Sequence, residues 1–375
     1  MNPGYWNPTR RIIADGALDQ LPEIAASFQP KKVLLLLGKA SFRNSPRHQR
    51  LREQLSKFHV EESVPVEYNP SVAFVQEMWR ALRKKDYGLV VAIGGGSVRD
   101  CAKAIRILLT QNEGALEDYV EKRVDFQRPG LPLIAVPTTA GTGSEVTPYA
   151  SLQTRAHQKI SLTHPWIFPE VALIDPLLTH SLPRYVTACS GLDALSQAIE
   201  SFWSVHHTPF SETHSLRAIA LILGSLKKVL KDPSDREARF AMSLASTEAG
   251  LAITQTRTTA VHAVSYPLTT FFEIPHGHAC ALTLPSFIRY NGPALEPHRK
   301  ARLMETLGVS SWEEAAHLVE CLMDEAGLER SLRKLGLSRE GIDTVIENGF
   351  RSDRVVNNPR EVTQEALREI LQKLY

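Results

Sequence analysis

Three uninterrupted apolar runs, Val33 to Leu37, Leu89 to Ile93 and Leu133 to Val136, constrain this chain more than any other feature. Each is the length of one strand, and a strand apolar at every position must be buried on both faces, as in a parallel sheet covered by helices. Stretches with helical spacing, Gln49 to Phe58 and Val75 to Lys84, lie between them. Strand alternating with helix predicts an open α/β layer whose ligands gather at the carboxyl ends of the strands. After Pro183 the strand-like runs give way to helical periodicity through Ala188 to Trp203, Leu216 to Leu230, Arg239 to Ile253 and Trp312 to Ala326, and a last helix is expected over Thr363 to Leu374 with Thr363 as its cap. The expected organisation is an α/β Rossmann-like domain over 1–182 and an all-α domain over 183–375, divided at the segment from Asp175 to Pro183.

Composition narrows the class. At 375 residues, with 43% hydrophobic and 22% charged residues, the chain can bury a sizeable core, and its mean hydropathy of -0.17 is that of a globular protein. The net charge of +2 provides no global field toward nucleic acid or an anionic membrane, so neither is expected as a partner. No apolar run approaches the roughly 20 residues a bilayer crossing needs. Cys101, Cys189, Cys280 and Cys321 form no CxxC pair, which suits reduced thiols and a cytoplasmic location.

Two loops follow the strands. Ile93-Gly94-Gly95-Gly96-Ser97 leads into a helical pattern, with Ser97 expected as its cap, and a backbone without Cβ atoms beside a helix N-terminus suits a phosphate. Pro137-Thr138-Thr139-Ala140-Gly141-Thr142-Gly143-Ser144-Glu145-Val146-Thr147 is rich in hydroxyls that can reach ribose and phosphate oxygens. Either stretch alone could be an ordinary turn. In the helical half, Asp193 and Gln197 stand four apart on one helix face, and His262 and His276 come later. One carboxylate and two imidazoles suit a catalytic Fe(II) or Zn(II) with an open position, although most of the 13 histidines need no function.

These segments together resemble the iron-containing alcohol dehydrogenases. Residues 94–103 resemble that family's GGGSxxDxAK signature, 137–147 its PTTxGTGSEVT loop and 191–200 its GxDAxxHAxE helix; His262 and His276 match its two late histidines, and Asn358-Pro359-Arg360 is also similar. The resemblance implies the fold shared with dehydroquinate synthase, a cleft between the two domains, and a homodimer. It places cofactor contacts on Gly95, Gly96, Ser97, Thr138, Thr139, Thr142 and Lys159, with Asn69 near the adenosine. It places the metal on Asp193, position 197, His262 and His276. Two positions depart from the pattern. Gln197 stands where the family has histidine, and a neutral amide weakens affinity for the metal, so metal occupancy is open. Tyr266 stands where many members have a further histidine, leaving Tyr266, His278 or a metal-bound water as proton donor; without a metal, the catalytic role of His262, with His276, would be that of an electrophilic group.

Charge points to NADP(H) over NAD(H). After the first strand the chain reads Leu37-Gly38-Lys39-Ala40-Ser41-Phe42-Arg43, with no carboxylate to repel a 2′-phosphate and with Ser41, Arg43 and Lys39 able to bind one beside Gly38, a further cofactor contact. The expected reaction is NAD(P)H-dependent reduction of a small aldehyde to a primary alcohol. The stretch from Ser265 through Leu282 looks most like the branch that reduces phosphonoacetaldehyde to 2-hydroxyethylphosphonate, with Arg257, Lys159 and His278 as candidate partners of the anionic group. The alternatives are a metal-dependent lyase or cyclase on the same scaffold, or a noncatalytic nucleotide-binding protein.

Overall fold

A computed structural model describes residues 5–39, 42–112, 114–156, 158–350 and 353–375. The described chain divides into two compact units. One comprises residues 7–139 and 144–179; the other comprises residues 180–375 with Tyr5, Trp6 and the short segment 140–143.

The first unit holds β1 (Arg10–Ile13), α1 (Leu21–Ser27), β2 (Lys32–Leu37), α2 (Pro46–Gln54), β3 (His59–Glu62), α3 (Val72–Leu82), β4 (Leu89–Gly94), α4 (Gly96–Leu108), α5 (Leu116–Val120), β5 (Leu133–Pro137), β6 (Tyr149–Gln153), β7 (Lys159–Thr163) and β8 (Val171–Ile174). Six strands form one parallel sheet in the order β1-β8-β5-β4-β2-β3, while β6 and β7 form a separate antiparallel pair. The three apolar runs are β2, β4 and β5. Their side chains alternate between two cores, as a period of two requires. Leu34, Leu36, Val90 and Ala92 pack with Val75, Trp79, Cys101 and Ile105, and Val33, Leu35, Leu37, Val91 and Ile93 pack with Leu21, Ile24 and Leu51. All five residues from Val33 to Leu37 have no exposed surface, and each large aliphatic side chain so buried stabilises by about 1.5–3 kcal/mol.

The second unit is built from α6 (Arg184–Trp203), α7 (Pro209–Lys231), α8 (Arg236–Thr256), α9 (Ala260–Phe272), α10 (His276–Asn291), α11 (Pro297–Leu307), α12 (Trp312–Ala326), α13 (Arg339–Phe350) and α14 (Gln364–Lys373) around a single core. Thr363 caps α14 by accepting from the Ala366 amide. Ser97 does not cap α4, contrary to expectation. The helix starts two residues earlier, Gly95 occupies the cap position, and the Ser97 hydroxyl accepts the Asn69 amide at 3.1 Å.

Among the described residues, no helix is long and apolar enough to cross a membrane.

Candidate active site

Most of the residues expected to contact a dinucleotide lie in the first unit, at the carboxyl edge of its sheet. Thr138 donates its amide to the Gly94 carbonyl at 3.1 Å, so the loop after β5 is fastened to the glycine loop after β4. A Cβ at Gly95 would stand 3.6 Å from the Thr139 methyl, and one at Gly38 would stand 3.6 Å from Val98, so the ends of β2, β4 and β5 gather over the start of α4. Asn69 adopts φ 50, a left-handed conformation that asparagine tolerates, and this aims its amide at Ser97. Lys159 opens β7 opposite Gln153, whose amide donates to Pro70, so the hairpin is tied to the same rim. Gly96 begins α4 with its free amide end toward this edge.

Arg43 lies 3.3 Å from Glu62, and that carboxylate also receives His48 and Arg52. Ser41 lies outside the described residues. Thr142 belongs to the segment 140–143 and packs with the helical unit. There Gly143, at φ 58, approaches α8 so closely that a Cβ would fall 2.5 Å from the Gly250 Cα, so both its conformation and its space demand glycine.

Behind the glycine loop lies a buried polar network that sequence reasoning did not assign. Asp100 accepts the Ser144 hydroxyl at 2.6 Å and the Ser151 amide at 3.0 Å. Lys103, fully buried, donates to Ser144, Thr147 and the Tyr149 carbonyl, while Arg99 pairs with Glu145. The aspartate and lysine of the first signature therefore hold the Ser144 to Thr147 part of the second in place. Burial drives the Lys103 pKa down to about 7.

The metal candidates converge within the helical unit. Asp193 on α6, His262 on α9, and His276 and Cys280 on α10 present one ligand atom each, all within 4.8 Å of one another. Asp193 Oδ1 lies 3.4 Å from His262 Nε2 and 3.8 Å from His276 Nε2. Neither pair is aligned as a hydrogen bond, and Asp193 Oδ1 is left buried with no hydrogen-bond partner. Gln197 is in the same condition: its Nε2 faces the Gly141 carbonyl at 3.4 Å and its Oε1 is buried without a partner. Unsatisfied buried acceptors are costly, about 1–3 kcal/mol each, and a cation would satisfy them.

The hydrogen bonds around both imidazoles prepare them as ligands. His262 Nδ1 is held by Glu200, a fully buried carboxylate that also accepts the Thr259 amide at 2.8 Å, the Thr259 hydroxyl at 2.8 Å and the His262 amide at 3.2 Å. Ser265 donates its hydroxyl to the His262 carbonyl at 2.8 Å, so its oxygen receives the Nδ1 proton of His276 at 3.2 Å. In both rings Nδ1 is engaged away from the cluster, and Nε2 is the nitrogen turned toward Asp193. Burial opposes charge on His262, yet Cys280, Glu200 and Asp193 hold its pKa well above the ordinary value. A divalent ion supplies the positive charge that this surround favours. Burial likewise opposes ionisation of Asp193, but the two imidazoles keep its pKa low. The donor set fits a metal. Glu200 was present in the helix signature without a role, and the polar spacing of α6 gave no sign that it would meet His262.

Close approach of α6 and α10 makes the convergence possible. A Cβ at Gly277 would stand 2.0 Å from the Cys189 carbonyl oxygen, so only glycine lets these helices meet at that point.

Tyr266 stacks on His276 with ring centroids 5.8 Å apart and planes tilted by 30°. Its phenol hydrogen-bonds Arg354, a buried guanidinium that also pairs with Asp353. Asp353 in turn receives Arg257 at 2.7 Å. Burial disfavours the Arg354 charge, but Tyr266 and Asp353 more than restore it. His278 is not brought to this group. It lies two residues beyond His276, well round the helix, and both of its nitrogens are engaged: Nε2 with the Glu329 carbonyl at 2.7 Å and Nδ1 with the Tyr185 hydroxyl at 3.0 Å.

Comparison with known proteins agrees with this chemistry. Residues 8–176 match the family model for iron-containing alcohol dehydrogenase, and 187–375 match the C-terminal model of the Fe-containing alcohol dehydrogenase family. The chain belongs to the iron-containing alcohol dehydrogenase family. It is therefore an oxidoreductase that reduces aldehydes to alcohols, in a family that uses a nicotinamide dinucleotide and a divalent metal. Alcohol dehydrogenase 4 of Saccharomyces cerevisiae is 32% identical, with 99% of this chain and 98% of the yeast protein covered. Sulfoacetaldehyde reductase from Bifidobacterium kashiwanohense, solved with NAD+, superposes with a TM-score of 0.92 at 34% identity, covering 100% of this chain and 99% of the other. An iron-containing alcohol dehydrogenase of Thermotoga maritima gives 0.88 at 32% identity, covering 99% of both chains.

Proposed function

We propose that this enzyme reduces a short aldehyde bearing an anionic headgroup, phosphonoacetaldehyde to 2-hydroxyethylphosphonate, with NADPH as hydride donor. The observation that carries the substrate reading is the chain of contacts from His276 through Tyr266 to Arg354, extended by Asp353 to Arg257. Two guanidinium groups meet at one carboxylate, and through Tyr266 this brings cationic side chains into line with His276, a grouping that suits a phosphonate or sulfonate. Arg257 also holds a strained backbone, φ 57 and ψ -174, of a kind that costs about 1–3 kcal/mol and clusters at functional sites. The likeness to a sulfoacetaldehyde reductase supports the same charge class.

In the reaction, hydride passes from the nicotinamide C4 to the carbonyl carbon, the π pair moves to oxygen, and the alkoxide takes up a proton. Asp193, His262 and His276 would hold the metal, which when bound supplies Lewis-acid polarisation of the carbonyl. Glu200 and Ser265 fix the rings. Tyr266, stacked on His276, is the phenol placed to deliver the proton to the new alkoxide. Gly95, Gly96, Ser97, Thr138 and Thr139 would cradle the pyrophosphate, with Lys159 and Asn69 at the rim. The preference for NADPH is supported by Arg43 and Arg52, which outnumber the single carboxylate Glu62 between them. A cytoplasmic homodimer completes the proposal; Cys101, Cys189 and Cys280 are free and buried, in keeping with a reducing compartment.

The test is NADPH oxidation with phosphonoacetaldehyde, sulfoacetaldehyde and propionaldehyde. Both anionic aldehydes should show the higher kcat/KM, with the phosphonate first. Equal values for the charged and uncharged compounds would overturn the headgroup reading.

A further inference from the structure

Gln197 poses a problem that its neighbours answer. With Asp193, His262 and His276 as ligands, the family pattern needs a fourth strong donor, and the amide oxygen of Gln197 is neutral. Cys280 lies one helical turn beyond His276 on α10, fully buried, with Sγ 3.9 Å from His276 Nε2. It is within 4.8 Å of the ligand atoms of Asp193 and His262 as well.

Three of the six separations come close to those of a coordination shell, and all lie within 4.8 Å. Two nitrogen or oxygen ligands about 2.1 Å from a tetrahedral ion stand about 3.4 Å apart, and a sulfur about 2.3 Å away stands about 3.6 Å from a nitrogen. The observed separations of 3.4 Å, 3.8 Å and 3.9 Å need shifts of only tenths of an ångström to meet those values. Asp193 Oδ1, one ligand atom of the group, is buried and without a hydrogen-bond partner.

We propose that Cys280 is the fourth protein ligand of the metal, as a thiolate, taking over the role that Gln197 cannot fill and making a two-nitrogen, one-oxygen, one-sulfur site that selects zinc over iron. The inference rests on the reading of Asp193, His262 and His276 as ligands. Sulfur is the softest donor of the four and favours Zn(II) over Fe(II) in a mixed set. The side of the site toward Cys280 is closed, whereas His276 retains 21% of its side-chain exposure next to Tyr266, so a carbonyl oxygen would approach from the latter side as a fifth ligand.

Cobalt(II) reports on the ligands directly, because a thiolate bound to it gives an intense near-ultraviolet charge-transfer band that nitrogen and oxygen ligands do not. The full-length protein, stripped of metal and loaded with Co(II), should show that band together with visible d–d absorption. C280S should lose the charge-transfer band, retain visible absorption and bind Zn(II) at least about tenfold more weakly in a chelator competition. Q197A should keep the band. Visible absorption without charge transfer in the parent protein overturns the Cys280 assignment and leaves the other three ligands standing. Failure to take up Co(II) at all overturns both. Should C280S not fold by circular dichroism, the parent and Q197A spectra still decide.

Discussion

Glu200 and His262 are joined through the ring nitrogen that does not face the ligand cluster, a contact that orients the imidazole and fixes its tautomer. Truncation of Glu200 to alanine would strip partners from the Thr259 amide and hydroxyl, the His262 amide and the His262 ring at once. Loss of one member of such a buried charged cluster costs about 3–5 kcal/mol. We expect E200A to lower the urea unfolding free energy by that amount and to weaken metal binding about 10- to 100-fold. A variant with unchanged stability and metal affinity would show that the contact does not matter.

Arg43 should discriminate between the two dinucleotides. R43A is expected to raise KM for NADPH about tenfold, equivalent to about 1.4 kcal/mol, with little change for NADH. Because Glu62 also engages His48 and Arg52, removing Arg43 leaves that carboxylate paired, and the comparison reports on the phosphate contact. Equal increases for both cofactors would remove Arg43 from the site.

Arg354 separates headgroup recognition from hydride transfer. A charge-assisted hydrogen bond contributes about 1.5–3 kcal/mol, so R354A should lose about 10- to 100-fold in kcat/KM with phosphonoacetaldehyde. Propionaldehyde turnover should fall much less. Parallel losses with both compounds would mean that Arg354 only supports Tyr266.

Lys103 should leave a mark on the pH dependence of stability. Burial depresses its folded pKa to about 7 from 10.5, so between those values the unfolded chain binds the proton and the folded chain does not. Stability therefore rises with pH through this window. Urea titrations of the parent protein from pH 6.5 to about 9 should show a gain relative to K103M that grows with pH. A constant difference would place the folded pKa of Lys103 near its ordinary value.

Much of this architecture was legible because burial on both faces leaves a plain trace. The runs Val33 to Leu37, Leu89 to Ile93 and Leu133 to Val136 became three of the four inner strands. Sheet edges leave a weaker trace: β1 is Arg-Arg-Ile-Ile with two exposed residues, β3 is His-Val-Glu-Glu, and neither stands out from a polar loop. The hairpin of β6 and β7 escaped notice for the same reason, since only alternate residues of β6 are fully buried. In the site, the spacing of Asp193 and the two histidines marked the cluster that the fold brings together. Glu200, Cys280 and Arg354 owe their places to helix packing and to a C-terminal segment remote in sequence, which no local spacing encodes.

Gly277 acts on the site without offering it any atom. Its missing side chain sets how near the helix bearing His276 and Cys280 comes to the one bearing Asp193. The bite of the chelate is thus fixed by backbone contact at the Cys189 carbonyl, so a search for tuning positions confined to polar residues would pass over the one that gauges the cage.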